Sequence, residues 1–235
     1  MGKTRALVIG GTGFIGTQLT RQLAAAGVET TVYSRGRKGE PHPRADWIQA
    51  PDTEQLLSFA ALRSLRFDVA IHMIAMGEDE GRLFAKELGD SAGRLILVSS
   101  GDVYLAYGRF TGFEPGTPEP VPIAENGALR TRLYPYRDRA KSPADLAWRY
   151  DKILAEKPTL DRSAGAVVRL PKVYGPGSSE RLNTVYGFAD HPEWCWTHGY
   201  VENVAAGIML ETSAAPATSE APNRREKIRI GGNPP

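Results

Sequence analysis

The sequence has a single cysteine, Cys195. No disulfide can form within the chain, and a metal site built on several cysteines is excluded. No apolar run approaches the roughly 20 residues that a membrane-spanning helix needs, so no membrane partner is expected. Met1 to Arg5 run directly into a strand-like segment, which leaves no room for a secretory leader, and a cytoplasmic location is the expectation. An excess of one charge is also missing. The formal net charge is +2, and the basic residues gather only in short clusters at 35–38, 130–139 and 224–227. Clusters of that size are usually solvated surface, so a nucleic-acid partner is not expected. What remains is 41% apolar and 24% charged over 235 residues. That balance fits a globular chain of one large domain, or one domain with a small appendage.

Strand-like and helix-like patterns alternate along the first part. Short apolar or β-branched runs at Ala6–Ile9, Thr30–Tyr33, Trp47–Ile48, Val69–Ile74 and Leu95–Val98 read as strands. Helical spacing occupies 14–26, where Ile15, Leu19 and Leu23 share a face, and then 54–65 and 80–88. Such alternation predicts an α/β fold with a parallel sheet covered on both sides. Residues 101–141 carry no clear period and read as a long loop. Ser142 with Asp145 suggests a helix start, Pro143 suits its first turn, and Pro158 suggests its end near Lys157. Ala166–Leu170 reads as a sixth strand, 201–211 as a helix, 212–225 as a linker and Lys227–Ile230 as a last strand.

Between the first strand and the first helix lies GGTGFIG, Gly10 to Gly16. Gly10 allows the tight turn, Gly13 lets the backbone approach a pyrophosphate, and Gly16 lets the helix pack close to the strand. The helix N-terminus adds unpaired N–H groups and a positive dipole end. In this context the motif predicts a dinucleotide site more readily than a plain structural turn. An acid at the end of the second strand would bind the 2′-hydroxyl of NAD. Ser34, Arg35, Gly36, Arg37 and Lys38 stand there instead. A guanidinium can grip a 2′-phosphate with two hydrogen bonds, so NADP is expected in preference to NAD, with Arg35 as the principal contact. The bland alternative is a solvated basic loop.

With GGTGFIG, the 34–36 turn, Val98–Ser99–Ser100–Gly101–Asp102–Val103–Tyr104, the stretch Arg169 to Pro176 and the stretch Gly199 to Ala205, the chain resembles the short-chain dehydrogenase/reductase superfamily, and within it the NAD-dependent epimerase/dehydratase group. The resemblance implies a Rossmann-type, doubly wound parallel sheet of about seven strands. It further implies a cofactor domain over 1–175 and a small, shortened C-terminal substrate region over 176–235 that returns in part to the core. Thr12, Phe14 and Ile15 would line the cofactor beside the glycines. So would Ile74, Ala75 and Met76 after the fourth strand, Ser99 after the fifth, and Pro171, Lys172 and Val173 after the sixth, with Asp52 near the adenine.

In this superfamily a Ser or Thr, a Tyr and a Lys act together, since a free phenol titrates near pKa ~10 and needs help to move a proton at neutral pH. The resemblance places Ser100 at the serine and Lys152 at the lysine, where it would also hold the nicotinamide ribose. The tyrosine is expected four residues before the lysine, but Trp148 stands there. An indole donates a hydrogen bond and cannot act as a base. On a regular helix Tyr150 would face about 200° away from Lys152, with Leu146, Ile153 and Leu154 on an apolar stripe. It reads as core, with a catalytic role open only if the helix is irregular. Tyr104, Tyr174 and His198 are further candidates without spacing support. Asp190, His191, Cys195 and His198 form no trusted zinc pattern, so no metal is expected. Two readings follow. One is an NADP(H)-dependent oxidoreductase or epimerase acting on a hydroxyl or carbonyl of a small, sugar-like molecule, in a homodimer of the kind common in the superfamily. The other is a non-catalytic dinucleotide-binding relative with a structural or regulatory role.

Overall fold

The computed structural model describes residues 2–117, 119–120, 122–178, 197–213 and 227–229. Its centre is a parallel sheet. Six strands form its body: β1 (Arg5–Ile9), β2 (Glu29–Ser34), β3 (Asp46–Gln49), β4 (Phe67–His72), β5 (Ala92–Ser100) and β6 (Gly165–Leu170). A small two-stranded sheet pairs β7 (Lys172–Tyr174) with β8 (His198–Tyr200). The short strand β9 (Lys227–Arg229) lies beside β6, and the main sheet runs β3-β2-β1-β4-β5-β6-β9. The order reverses direction between β1 and β4. In open α/β sheets the carboxyl-end crevice at such a switch point is where ligands bind.

Strand side chains alternate faces, so each strand feeds two cores. Leu7, Ile9, Ala70 and Leu97 face one side with α2 (Thr53–Ser58) and α3 (Glu78–Leu88), where Leu56, Phe84 and Leu88 are buried. Ala6, Val8, Ile71 and Val98 face the other with α1 (Phe14–Ala25) and the C-terminal helix at Val201–Ser213, where Leu19, Leu23, Val204 and Ile208 are buried. The buried ion pair Arg94–Glu211, at 2.9 Å, ties that last helix to β5.

Four expectations need correction. The helix expected over 54–65 ends at Ser58, because Phe59 takes φ +53 and turns its ring into the core beside His72 and Phe84. The unpatterned stretch 101–141 contains a 3-10 turn at Gly101–Val103 and a helix, α4 (Leu105–Phe110). The single helix expected from Ser142 to Lys157 is two helices, α5 (Leu146–Arg149) and α6 (Lys152–Leu160). Asp145 and Asp151 cap them, each accepting backbone N–H bonds at the new N-terminus. Pro158 lies inside α6 rather than beyond it. A proline there forfeits the bond to the carbonyl four residues back, and α6 continues only two residues further. The C-terminal helix is α7 (Val201–Ser213) and runs two residues past the expected end. The rest of the expected linker and Ile230 lie outside the described residues.

His72 closes β4 with no exposed surface. Its Nδ1 accepts from the Ile74 N–H at 3.4 Å, and its Nε2 has no partner among the described residues. Burial, with the Lys152 charge adding to it, pushes the imidazole down to about 3. The unfolded chain binds a proton near pH 6.5 that the folded chain refuses, so stability falls as pH drops below that value. We expect His72→Phe to flatten the acid-side slope by up to ~1.4 kcal/mol per pH unit. Denaturant unfolding between mildly acidic and neutral pH measures it, and equal slopes in the two proteins would remove His72 as the cause.

Candidate active site

The glycine turn sits at the switch point. Gly10 follows β1 with φ +84 and donates its N–H to the Tyr33 carbonyl of β2 at 2.9 Å. At Gly16 a Cβ would come within 2.6 Å of the Gly10 carbonyl oxygen and 2.8 Å of the Gly11 Cα, so any side chain would push α1 off the turn. Gly13 is the N-cap of α1 and has no side chain to cap that end. The first amides of α1 therefore face the crevice without a protein acceptor from a cap, as a bound anion requires. Thr12 is buried, and Phe14 and Ile15 are half-buried along the same edge.

At the end of β2, Ser34 is buried and its Oγ accepts from Trp47 Nε1 at 3.1 Å. Arg35 is half-buried, and its guanidinium donates to Thr53 Oγ1 at 2.6 Å, at the start of α2. Arg37 and Lys38 are exposed. Asp52 caps α2 by accepting from the Gln55 N–H at 2.8 Å. Past β4, Ile74 and Met76 are half-buried and Ala75 is buried. Past β6, Pro171, Lys172 and Val173 are half-buried.

Lys152, the first residue of α6, is buried, and its ammonium donates to the carbonyl of Ala75 and, at 3.5 Å, to that of Val98. The charge thus lies beneath the ends of β4 and β5. Burial pushes Lys152 down to about 8, against the opposing pull of Asp102, Glu80 and Glu156. Ser99 is buried and donates its hydroxyl to Glu156 Oε1 at 2.7 Å. Glu156 also takes two hydrogen bonds from Arg169, at 2.9 and 2.6 Å. Ser100 ends β5, and its Oγ accepts from the Asp102 N–H at 3.3 Å.

Trp148 and Tyr150 do not lie where a regular helix would put them. The segment 149–151 crosses tightly over the β4–α3 connection. Asp151 donates its N–H to the Met76 carbonyl at 2.9 Å. A Cβ on Gly77 would strike the Arg149 carbonyl oxygen. Trp148 is 40% exposed and lines a cavity of about 240 Å³ with Gly77, Glu78, Tyr134 and Arg137. The helix break turns Tyr150 the other way. Its Oη donates to Asp102 Oδ2 at 2.7 Å, so it is not part of an apolar stripe, and Leu146 of that expected stripe is 43% exposed. The Tyr136 ring is 5.2 Å from the Tyr150 ring, and the Tyr136 and Tyr107 hydroxyls share a hydrogen bond of 2.9 Å. Burial first, and Asp102 next, push the Tyr150 phenol well above its ordinary value. Burial also lifts the Asp102 carboxyl above the usual carboxylate range, although Tyr150, Arg130 and Lys152 oppose it.

Sequence reasoning named Ser100, Lys152 and Tyr150. It missed Asp102, although the residue stands inside a motif already quoted, and it missed Arg130, Asp151 and Tyr136. Among the other candidates, Tyr104 is buried with its ring 4.8 Å from the Arg169 guanidinium. Tyr174 is exposed on β7, and the half-buried His198 lies on β8 with its Nε2 unpartnered among the described residues. Asp190, His191 and Cys195 lie outside the described residues. Among the described residues no group of three or more His, Cys, Asp or Glu side chains could hold a metal ion, and no helix is long and apolar enough to cross a membrane.

The geometry depends on a buried ion pair. Arg130 and Asp151 have no exposed side-chain surface and meet at 3.2 Å. Removing one partner of such a pair strands the other charge. We expect Arg130→Met to cost ~3–5 kcal/mol in denaturant unfolding. A loss below about 1 kcal/mol, the scale of an exposed pair, would contradict the assignment.

Comparison with known proteins follows the same lines. Residues 6–87 match the NAD dependent epimerase/dehydratase family. No curated protein is significantly similar in sequence. Among solved structures, the fold is shared with an NAD dependent NDP-hexosamine 5,6-dehydratase, TunA, involved in tunicamycin biosynthesis (20% identity, 97% of this chain and 76% of that one, TM-score 0.64). It is shared with the Bordetella bronchiseptica enzyme WbmG in complex with NAD (18%, 98% and 73%, TM-score 0.63). It is shared too with the UDP-glucose 4-epimerase of Thermus thermophilus in complex with NAD (19%, 97% and 78%, TM-score 0.63). The family match and the shared Rossmann-type fold support the resemblance drawn from the motifs.

Proposed function

We propose that this chain works as a member of the epimerase/dehydratase group of short-chain dehydrogenases/reductases, binding NADP(H) and acting on a hydroxyl or carbonyl of a small, sugar-like molecule. The observation that carries the reading is the uncapped N-terminus of α1 behind Gly10–Gly16, placed at the switch point of the sheet. Thr12, Gly13, Phe14 and Ile15 would hold the pyrophosphate. Arg35, with Ser34 beside it, would hold the 2′-phosphate. Ile74, Ala75, Met76, Ser99, Pro171 and Val173 would line the crevice along the strand ends.

When bound, the nicotinamide supplies an acceptor or donor of a hydride for the carbon that bears the substrate oxygen. Ser100 then orients that oxygen. Lys152 adds a positive charge under the ends of β4 and β5, which favours negative charge developing above it. The buried Glu156–Arg169 pair holds Ser99 in place, and the carbonyls of Ala75 and Val98 hold Lys152. Residues 176–235 would supply the reduced substrate region. Trp148, turned outward at the position expected for tyrosine, favours a second reading in which the dinucleotide is bound without turnover.

Dinucleotide titration followed by melting temperature and intrinsic fluorescence tests the proposal. NADP(H) should raise the transition more than NAD(H) at equal concentration. Arg35→Ala should weaken NADP(H) about tenfold, the scale of one charge-assisted hydrogen bond of ~1.5 kcal/mol, and leave NAD(H) unchanged. Equal binding of the two cofactors by the unsubstituted chain would refute the preference, and no shift with either would refute the dinucleotide reading.

A further inference from the structure

Asp102 is an unexplained acid. It is 6% exposed, follows Ser100 by two residues, and belongs to no ion pair among the described residues. Tyr150 serves its Oδ2, while its Oδ1 is buried with no hydrogen-bond partner among the described residues. A carboxylate oxygen left bare in the interior is costly unless the group is protonated or something else meets it. The groups that face it are Tyr150, Arg130, Lys152, Asp151, Tyr107 and Tyr136, and Arg139 stands behind Tyr107. Arg130 is committed to Asp151, and its Nε donates to the Asp102 backbone carbonyl at 3.1 Å rather than to the carboxyl.

We propose that Tyr150 and Asp102 together replace the missing tyrosine–lysine couple, with Tyr150 exchanging a proton with the substrate oxygen and Asp102 storing it. The inference rests on the dinucleotide reading above. Tyr150 alone cannot be a tyrosinate base, since burial and the adjoining carboxyl hold it as a phenol. In a relay it never needs to ionise. As an alcohol carbon loses its hydrogen with the bonding pair to the oxidised nicotinamide and the C=O bond forms, the alcohol proton passes to Tyr150 Oη. The proton already on Tyr150 passes to Asp102 Oδ2. Reduction runs the same path backwards.

The relay couples to the state of the cofactor. Burial favours the neutral acid at Asp102, and a cation placed near it favours the carboxylate. Ser100 and Lys152 mark the strand ends beside Asp102 where the nicotinamide would lie, so Asp102 would be favoured as the accepting carboxylate when the oxidised, positively charged form is bound. With the uncharged reduced ring in place that pull would be missing, and burial would favour the neutral acid, the form that can donate. A pair serving only as a structural hydrogen bond away from the cofactor would not respond to that charge.

The test is the number of protons exchanged on binding, measured by calorimetry in buffers of different ionisation enthalpy, from acid pH to neutrality. NADP+ and NADPH are the probes, with NAD+ and NADH in parallel. The oxidised form should release up to one more proton per chain than the reduced form, at pH values on the flank of the Asp102 titration. Asp102→Asn should abolish that difference. Tyr150→Phe should keep it but move it to higher pH, because the lost hydrogen bond had held Asp102 down. If Asp102→Asn fails to fold, the direction of the Tyr150→Phe displacement decides the matter. Binding with equal proton counts for both redox forms, or an unchanged difference in Asp102→Asn, overturns the relay and leaves the cofactor site standing. Failure of every dinucleotide to bind overturns both.

Discussion

The carboxylate of Asp151 holds the candidate site together. It has no exposed surface, caps α6 through the N–H groups of Ile153 and Leu154, and pairs with Arg130. It also accepts from the Tyr134 N–H at 2.5 Å. One side chain therefore starts a helix and anchors the arm that carries Arg130 to Tyr136, while the Asp151 N–H is held by the Met76 carbonyl. The backbone break this enforces sends Trp148 outward and Tyr150 inward. It also sets Lys152 at the first position of α6, where the side chain reaches the carbonyls of Ala75 and Val98.

The two layers on either side of the sheet then restrain this arrangement. On one face α3 and α6 pack closely, and Glu80 accepts from the N–H groups of Met76 and Gly77 while pairing with Arg149. On the other face α1 and α7 pack over the second core. The Glu156 carboxylate accepts two hydrogen bonds from Arg169 and one from the Ser99 hydroxyl, so three buried polar groups meet one another. These hydrogen bonds tie the end of β5 to α6 and β6.

Most of the sheet was legible in the sequence. Short apolar runs flanked by glycines or by helical spacing have few alternative readings, and the glycine turn carries its own mechanism. The course of 101–151 was not. Ser142 and Pro143 offered a plausible helix start, yet the helices begin instead at the caps Asp145 and Asp151, and Asp151 is held by Arg130, Tyr134 and Met76, which are distant in sequence. The i, i+4 argument from Lys152 to Trp148 assumed an unbroken helix, and the break removed its basis. Asp102 went unremarked because nothing local signals burial of an aspartate after a strand. Its significance comes from Tyr150, 48 positions away, and from a cluster assembled only by tertiary contacts.

The central claim is that the 149–151 break puts Tyr150 and Asp102, rather than Trp148, beside the reacting end of a dinucleotide bound at the glycine turn. A crystal structure of the chain with NADP+ tests this most directly. The account predicts the pyrophosphate on the amides of residues 12–15, and the nicotinamide beside Ser100 with the Tyr150 hydroxyl facing the substrate position. A nicotinamide lying against Trp148, or with Tyr150 and Asp102 sealed away from it by intervening side chains, would contradict the account.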